Sequence, residues 1–212
     1  MKEAVGFLAI ITDEKQTGHR TRFEYHDYYL QSLNSLGESD KAIAMCRTKM
    51  ESAPDKETKR AFRKRLHYLL VRSGQFDEAD KIYNLLNEDS DKDRFHQKMR
   101  YAESLYHRGK IKEALDLVLE ATNKKSKVIG SPYFDLLAGL VTIESAERDL
   151  AKARPYLDAA LKGLNKLDAG ARATEGKGIL KFLARLKTHL QNDAAEAGDW
   201  EQWSLLEAKL EK

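Results

Sequence analysis

Gly74-Gln-Phe-Asp-Glu-Ala79 decides the reading of this chain, because the same pattern returns at Gly37-Glu-Ser-Asp-Lys-Ala42 and at Gly109-Lys-Ile-Lys-Glu-Ala114. A looser fourth copy is Arg148-Asp-Leu-Ala-Lys-Ala153, and the four alanines stand 37, 35 and 39 residues apart. The glycine suits a left-handed residue that ends one helix, and an acidic or amide residue after it suits the start of the next. A small alanine five positions on lets the second helix approach the first closely. Upstream of each glycine, apolar residues recur at helical spacing: Tyr29, Leu30, Leu33 and Leu36, then Leu66, Leu69 and Leu70, then Tyr101, Ala102 and Leu105. Downstream, Ala42, Ile43 and Cys46 correspond to Ala79, Ile82 and Tyr83, to Ala114, Leu117 and Val118, and to Ala153, Tyr156 and Leu157. The period predicts a chain of helical hairpins, the mark of a repeat architecture.

Composition supports an all-α chain. With 3 Pro and 12 Gly in 212 residues there is too little turn chemistry for many short strands. The length allows about 70% of the unfolded surface to be buried without disulfides. The single cysteine, Cys46, excludes a disulfide scaffold and a multi-cysteine zinc ribbon and fits a reducing, cytoplasmic setting. Lys plus Arg is 37 and Asp plus Glu 34, a net charge of +3 on a mixed surface. The apolar run Ala4–Ile11 is far shorter than the about 20 residues a bilayer requires, and reads as a buried helical segment.

These residues resemble the tetratricopeptide family, whose repeat runs roughly aromatic-x2-Leu-Gly-x2-Tyr, then Ala-x3-Phe, then Pro. The first unit gives His26-x2-Tyr29-Leu30-x2-Leu33, Ala42-x3-Cys46 and Pro54. The second gives Arg63-x2-Leu66-His67-x2-Leu70 and Ala79-x3-Tyr83. The third gives Lys98-x2-Tyr101-Ala102-x2-Leu105 and Ala114-x3-Val118, and the fourth Leu137-x2-Leu140-Val141-x2-Glu144 and Ala153-x3-Leu157. Departures include Leu30, His67, Ala102 and Val141 at the family's glycine site and Glu144 where an apolar residue belongs. The resemblance implies a right-handed superhelical solenoid of antiparallel helix pairs, about 4 to 5 units plus terminal helices. It implies one domain over 1–212: a capping helix within 1–22, repeats over 23–165 and a C-terminal capping pair over 166–212. In that last region, Lys166–Gly178 with its three glycines predicts a bend or frayed start, Ile179–Leu190 a strong amphipathic helix, and Gly198-Asp-Trp-Glu-Gln-Trp203 an echo of the repeat turn. Trp200 and Trp203 read as cap packing.

Catalytic signatures fail on inspection. Gly170–Lys177 has one residue too many for a phosphate loop, and Asp89, Asp91 and Asp93 begin like a calcium loop that Arg94 and Arg100 then break. None of the six histidines stands four residues from another, so no metal or cofactor is expected. The expectation is a non-catalytic protein.

In the family this chain resembles, first helices line a concave groove that meets the ligand. Helical spacing places Glu24, Asp27, Tyr28, Gln31, Asn34 and Ser35 on that face in the first unit. Lys64, Arg65, Tyr68, Val71 and Arg72 follow in the second, and His96, Met99, Arg100, Glu103, Tyr106 and His107 in the third. Lys56–Arg72 holds seven Lys or Arg and one Glu, net +6. Tyr28, Gln31, Lys64, Arg65, Tyr68, Arg72, His96, Arg100, Tyr106 and His107 are therefore the candidate partner-binding residues. Guanidinium groups near tyrosines suit an acidic peptide segment of a partner protein, in an adaptor, regulatory or assembly role. The plain alternative is a solvated stripe paired with neighbouring acids. A different class is single-stranded RNA, with bases stacked on Tyr28, Tyr68 and Tyr106. From His189 to Lys212 the charge reverses to −4, which suggests association of copies through an acidic C-terminal helix.

Overall fold

The computed structural model describes residues 2–13, 23–88, 94–122, 131–146, 149–190 and 197–210. Among them are eleven helices and no strand, so the all-α expectation holds. They are α1 (Lys2–Thr12), α2 (Phe23–Ser35), α3 (Ser39–Glu51), α4 (Lys56–Ser73), α5 (Phe76–Glu88), α6 (Arg94–His107), α7 (Ile111–Thr122), α8 (Pro132–Glu144), α9 (Leu150–Leu164), α10 (Ala169–Leu190) and α11 (Ala197–Leu210). No helix among the described residues is long and apolar enough to cross a membrane.

The repeated glycines form the turns that their sequence calls for. Gly37, Gly74 and Gly109 have φ of 84°, 77° and 73°, the left-handed region in which a Cβ is strained. In each turn the N–H after the glycine donates to a carbonyl five residues back: Glu38 to Leu33, Gln75 to Leu70 and Lys110 to Leu105, at 2.9, 2.9 and 3.0 Å. The glycine N–H donates to Asn34, Val71 or Tyr106 at 3.1, 3.2 and 3.0 Å, which completes a Schellman cap. The same residues open the next helix, since the carbonyls of Glu38, Gln75, Lys110 and Asp149 accept the N–H of Ala42, Ala79, Ala114 and Ala153. All four alanines are fully buried. Asp149 also caps with its side chain, accepting from the Lys152 N–H at 3.0 Å, and that bond holds its carboxyl below the ordinary value.

The chain falls into two compact units, residues 1–97 and 98–212, where the sequence reads as one continuous domain. In the first unit α1 packs on α2, and α2, α3, α4 and α5 pack in order, with α2 also against α4. Their core gathers Leu30, Leu33, Ile43, Cys46, Phe62, Leu66, Leu69, Leu70 and Leu86, with Leu8 and Phe23 against it. Burying one such leucine contributes about 2 kcal/mol. Successive hairpins are stitched twice: Asp27 of α2 to Arg65 of α4, and Arg47 of α3 to Glu78 of α5 at 2.6 Å. Pro54 stands in the turn between α3 and α4, where the resemblance puts a proline, and Asp55 caps α4 through the Thr58 N–H at 2.7 Å.

In the second unit α8 is enclosed, every residue from Tyr133 to Ile143 being buried, with α7, α9 and α10 around it. α11 closes against α9 and α10. The tightest approach is between α8 and α9, made by Gly139, where an added Cβ would lie 2.9 Å from Leu157 Cγ, and by Gly163 against Pro132. The resemblance puts its glycine site at Val141, two residues from Gly139. Within Lys166–Gly178 the expected bend and helix start fall at the first residues, since α10 begins at Ala169, while Gly170, Gly176 and Gly178 lie inside that helix, where packing of α10 on α8 and α11 outweighs their low helix propensity. Gly198–Trp203 lies inside α11 and forms no turn, while Trp203 is buried as cap packing requires. Asp89, Asp91 and Asp93 fall outside the described residues.

Candidate functional site

The ten candidate residues divide by whether a neighbour already uses them. In the first unit, Tyr28 on α2 is 60% exposed, with Tyr25 three residues earlier at 48%. Gln31 lies on the same face, half-buried, and donates to Asp27 Oδ2 at 2.7 Å. Arg65 Nε and Nη2 grip both oxygens of Asp27, a fork-to-fork pair with each side chain about a fifth exposed. Beneath this pair lies the Tyr68 ring, with the Arg65 guanidinium 5.1 Å from its centroid and that of Arg72 at 5.8 Å. Lys64 and Arg72 are half-buried, whereas Tyr68 and Val71, expected on the groove face, are buried. His96, at the start of α6, is exposed with its ring edge-on to Phe95.

The second unit shows a face largely consumed by its own acids. Glu103, fully buried on α6, accepts from Arg100 Nη1 at 2.8 Å and from the Tyr133 hydroxyl. Arg100 also faces Glu175 of α10 at 3.7 Å and rests over Tyr133 and Phe134, 5.1 and 4.8 Å from their ring centroids. Tyr106 is buried, and its hydroxyl donates to Glu144 at 2.8 Å. Burial, with the Glu144 carboxylate beside it, pushes the Tyr106 phenol up. Glu144 further holds Arg185 and His189 of α10, each at 3.2 Å. His107 stacks on Phe182 at 5.6 Å.

Tyr106 and Met99 are thus part of the buried core, and Arg100 bridges α6 to α8 and α10. The spacing argument overestimates the free arc: a first helix flanked by its own partner and by neighbouring hairpins buries more than one stripe. Glu144, Glu175, Arg185, His189 and Tyr133 were missed by that argument. Glu144 alone left a trace in the sequence, as an acid at an apolar position of the repeat. The partners on α10 left none, since an acid and a base 41 residues apart in sequence announce no contact.

Among the described residues no three His, Cys, Asp or Glu side chains converge as a metal requires. Cys46 is buried, its thiol against the Phe62 carbonyl at 3.1 Å, and desolvation pushes the thiol up to about 12, so no thiolate forms near neutrality. Comparison with protein-family models, curated proteins and solved structures found no match.

Proposed function

We propose that this chain is a non-catalytic, tetratricopeptide-like docking module, a solenoid of helix pairs that holds an acidic, peptide-like segment of a partner protein on the first helices of its early repeats. The single observation that carries this reading is the α2–α4 face. There α2 carries the exposed Tyr28 as well as Gln31 and the Asp27 that pairs with Arg65, and α4 alone carries +6. An aromatic anchor supplies contact area, and surrounding cations supply attraction to carboxylates and a fast approach. The reading now rests on unit 1, because Arg100 and Tyr106 of unit 2 are committed to internal partners. Burial of Tyr68 and Tyr106 removes two of the three stacking platforms that an RNA-binding reading needs.

The test is affinity capture with the full chain and with a Tyr28→Ala, Lys64→Glu double variant. Neither residue belongs to the buried core, so circular dichroism should remain helical while the captured protein is lost. Capture that survives unchanged refutes docking on this face.

A further inference from the structure

The pairing of Arg65 points to a device built into that same face. We infer that Asp27 is a tethered competitor for the partner's acidic group, occupying the Arg65 fork until a partner carboxylate displaces it. The inference rests on the acidic-segment reading above.

Three features of the site support it. First, the Asp27 carboxylate takes Arg65 in the two-point geometry that a glutamate or aspartate of a peptide would take, so it is already the chemical equivalent of the ligand. Second, Gln31 holds Asp27 Oδ2 at 2.7 Å from one turn along the same helix, so Asp27 has a second partner that remains when Arg65 is released. Third, the exchange happens at an accessible place. Both side chains keep about a fifth of their surface exposed, Tyr28 beside them is 60% exposed, and the Arg65 and Arg72 guanidiniums both lie against the Tyr68 ring. A carboxylate that displaces Asp27 thus meets one fork, with a second cation beyond it.

The consequence is quantitative. A site whose competent form is only a fraction f of the population binds with an apparent Kd raised by 1/f. If the Asp27–Arg65 pair is closed about nine-tenths of the time, removing the Asp27 charge tightens acidic-peptide binding about tenfold. It also relaxes selectivity, because weak acidic segments no longer have to outcompete a resident carboxylate.

Fluorescence anisotropy with a labelled oligo-glutamate peptide tests this on the full chain. Asp27→Asn keeps shape and the contact with Gln31 but discards the charge; Asp27→Ser repeats the test with a smaller residue should Asn pack poorly. Asp40→Asn, an exposed acid on α3, makes the same change in net charge away from the site. The expected result is about tenfold tighter binding for both Asp27 variants, no comparable gain for Asp40→Asn, and loss of the gain when Arg65→Gln is added. Equal affinity of wild type and the Asp27 variants overturns the competitor while leaving the acidic-segment reading intact. An equal gain for Asp40→Asn overturns it too, by reducing the effect to net charge. Absence of peptide binding in every form overturns the acidic-segment reading itself, as does a larger gain for oligo-uridylate than for the peptide.

Discussion

Gly163→Ala sets two well-measured tendencies against each other at one atom. Near the end of α9 an alanine gains up to about 1 kcal/mol over glycine in helix propensity. Its Cβ, however, would lie 2.8 Å from Pro132 Cβ and closer still to Pro132 Cγ, where carbon atoms normally rest about 3.5–4 Å apart. Proline cannot rotate away, since its ring is closed onto the backbone, and Pro132 is fixed further as the first residue of α8. Relief therefore requires α8 and α9 to separate, a form of overpacking that costs about 1–3 kcal/mol. The clash wins, and the variant should lose about 1–2 kcal/mol. Gly176→Ala is the matched control: it sits inside α10 with nothing within 4 Å of its would-be Cβ, and should gain about 0.5–1 kcal/mol. Urea titrations followed by far-UV circular dichroism should separate the two variants by about 2 kcal/mol. Adding Pro132→Ala to Gly163→Ala should recover stability beyond the sum of the single effects, because the two atoms share one volume. A Gly163→Ala protein as stable as wild type, or strict additivity with Pro132→Ala, refutes the close approach of α8 and α9.

Pro155 is exposed within α9, where it cannot donate to the carbonyl four residues back; Pro155→Ala should raise stability by about 1–3 kcal/mol in the same titration. Cys46, with its thiol pushed from 9.0 to about 12 by burial, makes folding pH-dependent: its contribution is complete below about pH 9 and falls as pH rises toward 12, by up to about 4 kcal/mol. The slope of unfolding free energy against pH between 9 and 12 should be shallower in Cys46→Ala, and identical slopes refute the buried thiol. Glu144→Gln should cost about 1–3 kcal/mol, because it strips charge from the acceptor of Tyr106, Arg185 and His189. Ala79→Leu, at a fully buried hairpin position, should cost about 1–3 kcal/mol by overpacking, read as a lower urea midpoint.

The hairpin turns were legible because each is determined locally. A glycine with φ near 80°, a following backbone carbonyl that opens the next helix and a small buried alanine all lie within six residues, so one short string specifies the whole turn. The glycines of α10 misled for the complementary reason: Gly170, Gly176 and Gly178 have the composition of a break, but their conformation is fixed by α8 and α11, which the local string does not contain. Gly139 went unread because its close approach to Leu157 depends on a neighbouring helix that the local string does not contain.

What the candidate residues' charges face was not legible in the sequence. Arg65 and Arg100 look alike in the sequence, both basic and both on the inner stripe of a first helix. Yet Arg100 lies between two acids and two aromatic rings, and removing it would leave the fully buried Glu103 short of a cation. Arg65 meets one acid that keeps about a fifth of its surface exposed and a second partner in Gln31, so exchange with an outside carboxylate strands no fully buried charge. The distinction between a fixed strut and an exchangeable pair thus lies in the solvation of the partner, not in the residue. It follows that neutral overall pairing does not make the α2–α4 face inert: a pair near water can be traded, whereas the pair at Glu103 is held in place by the cost of stranding its charge.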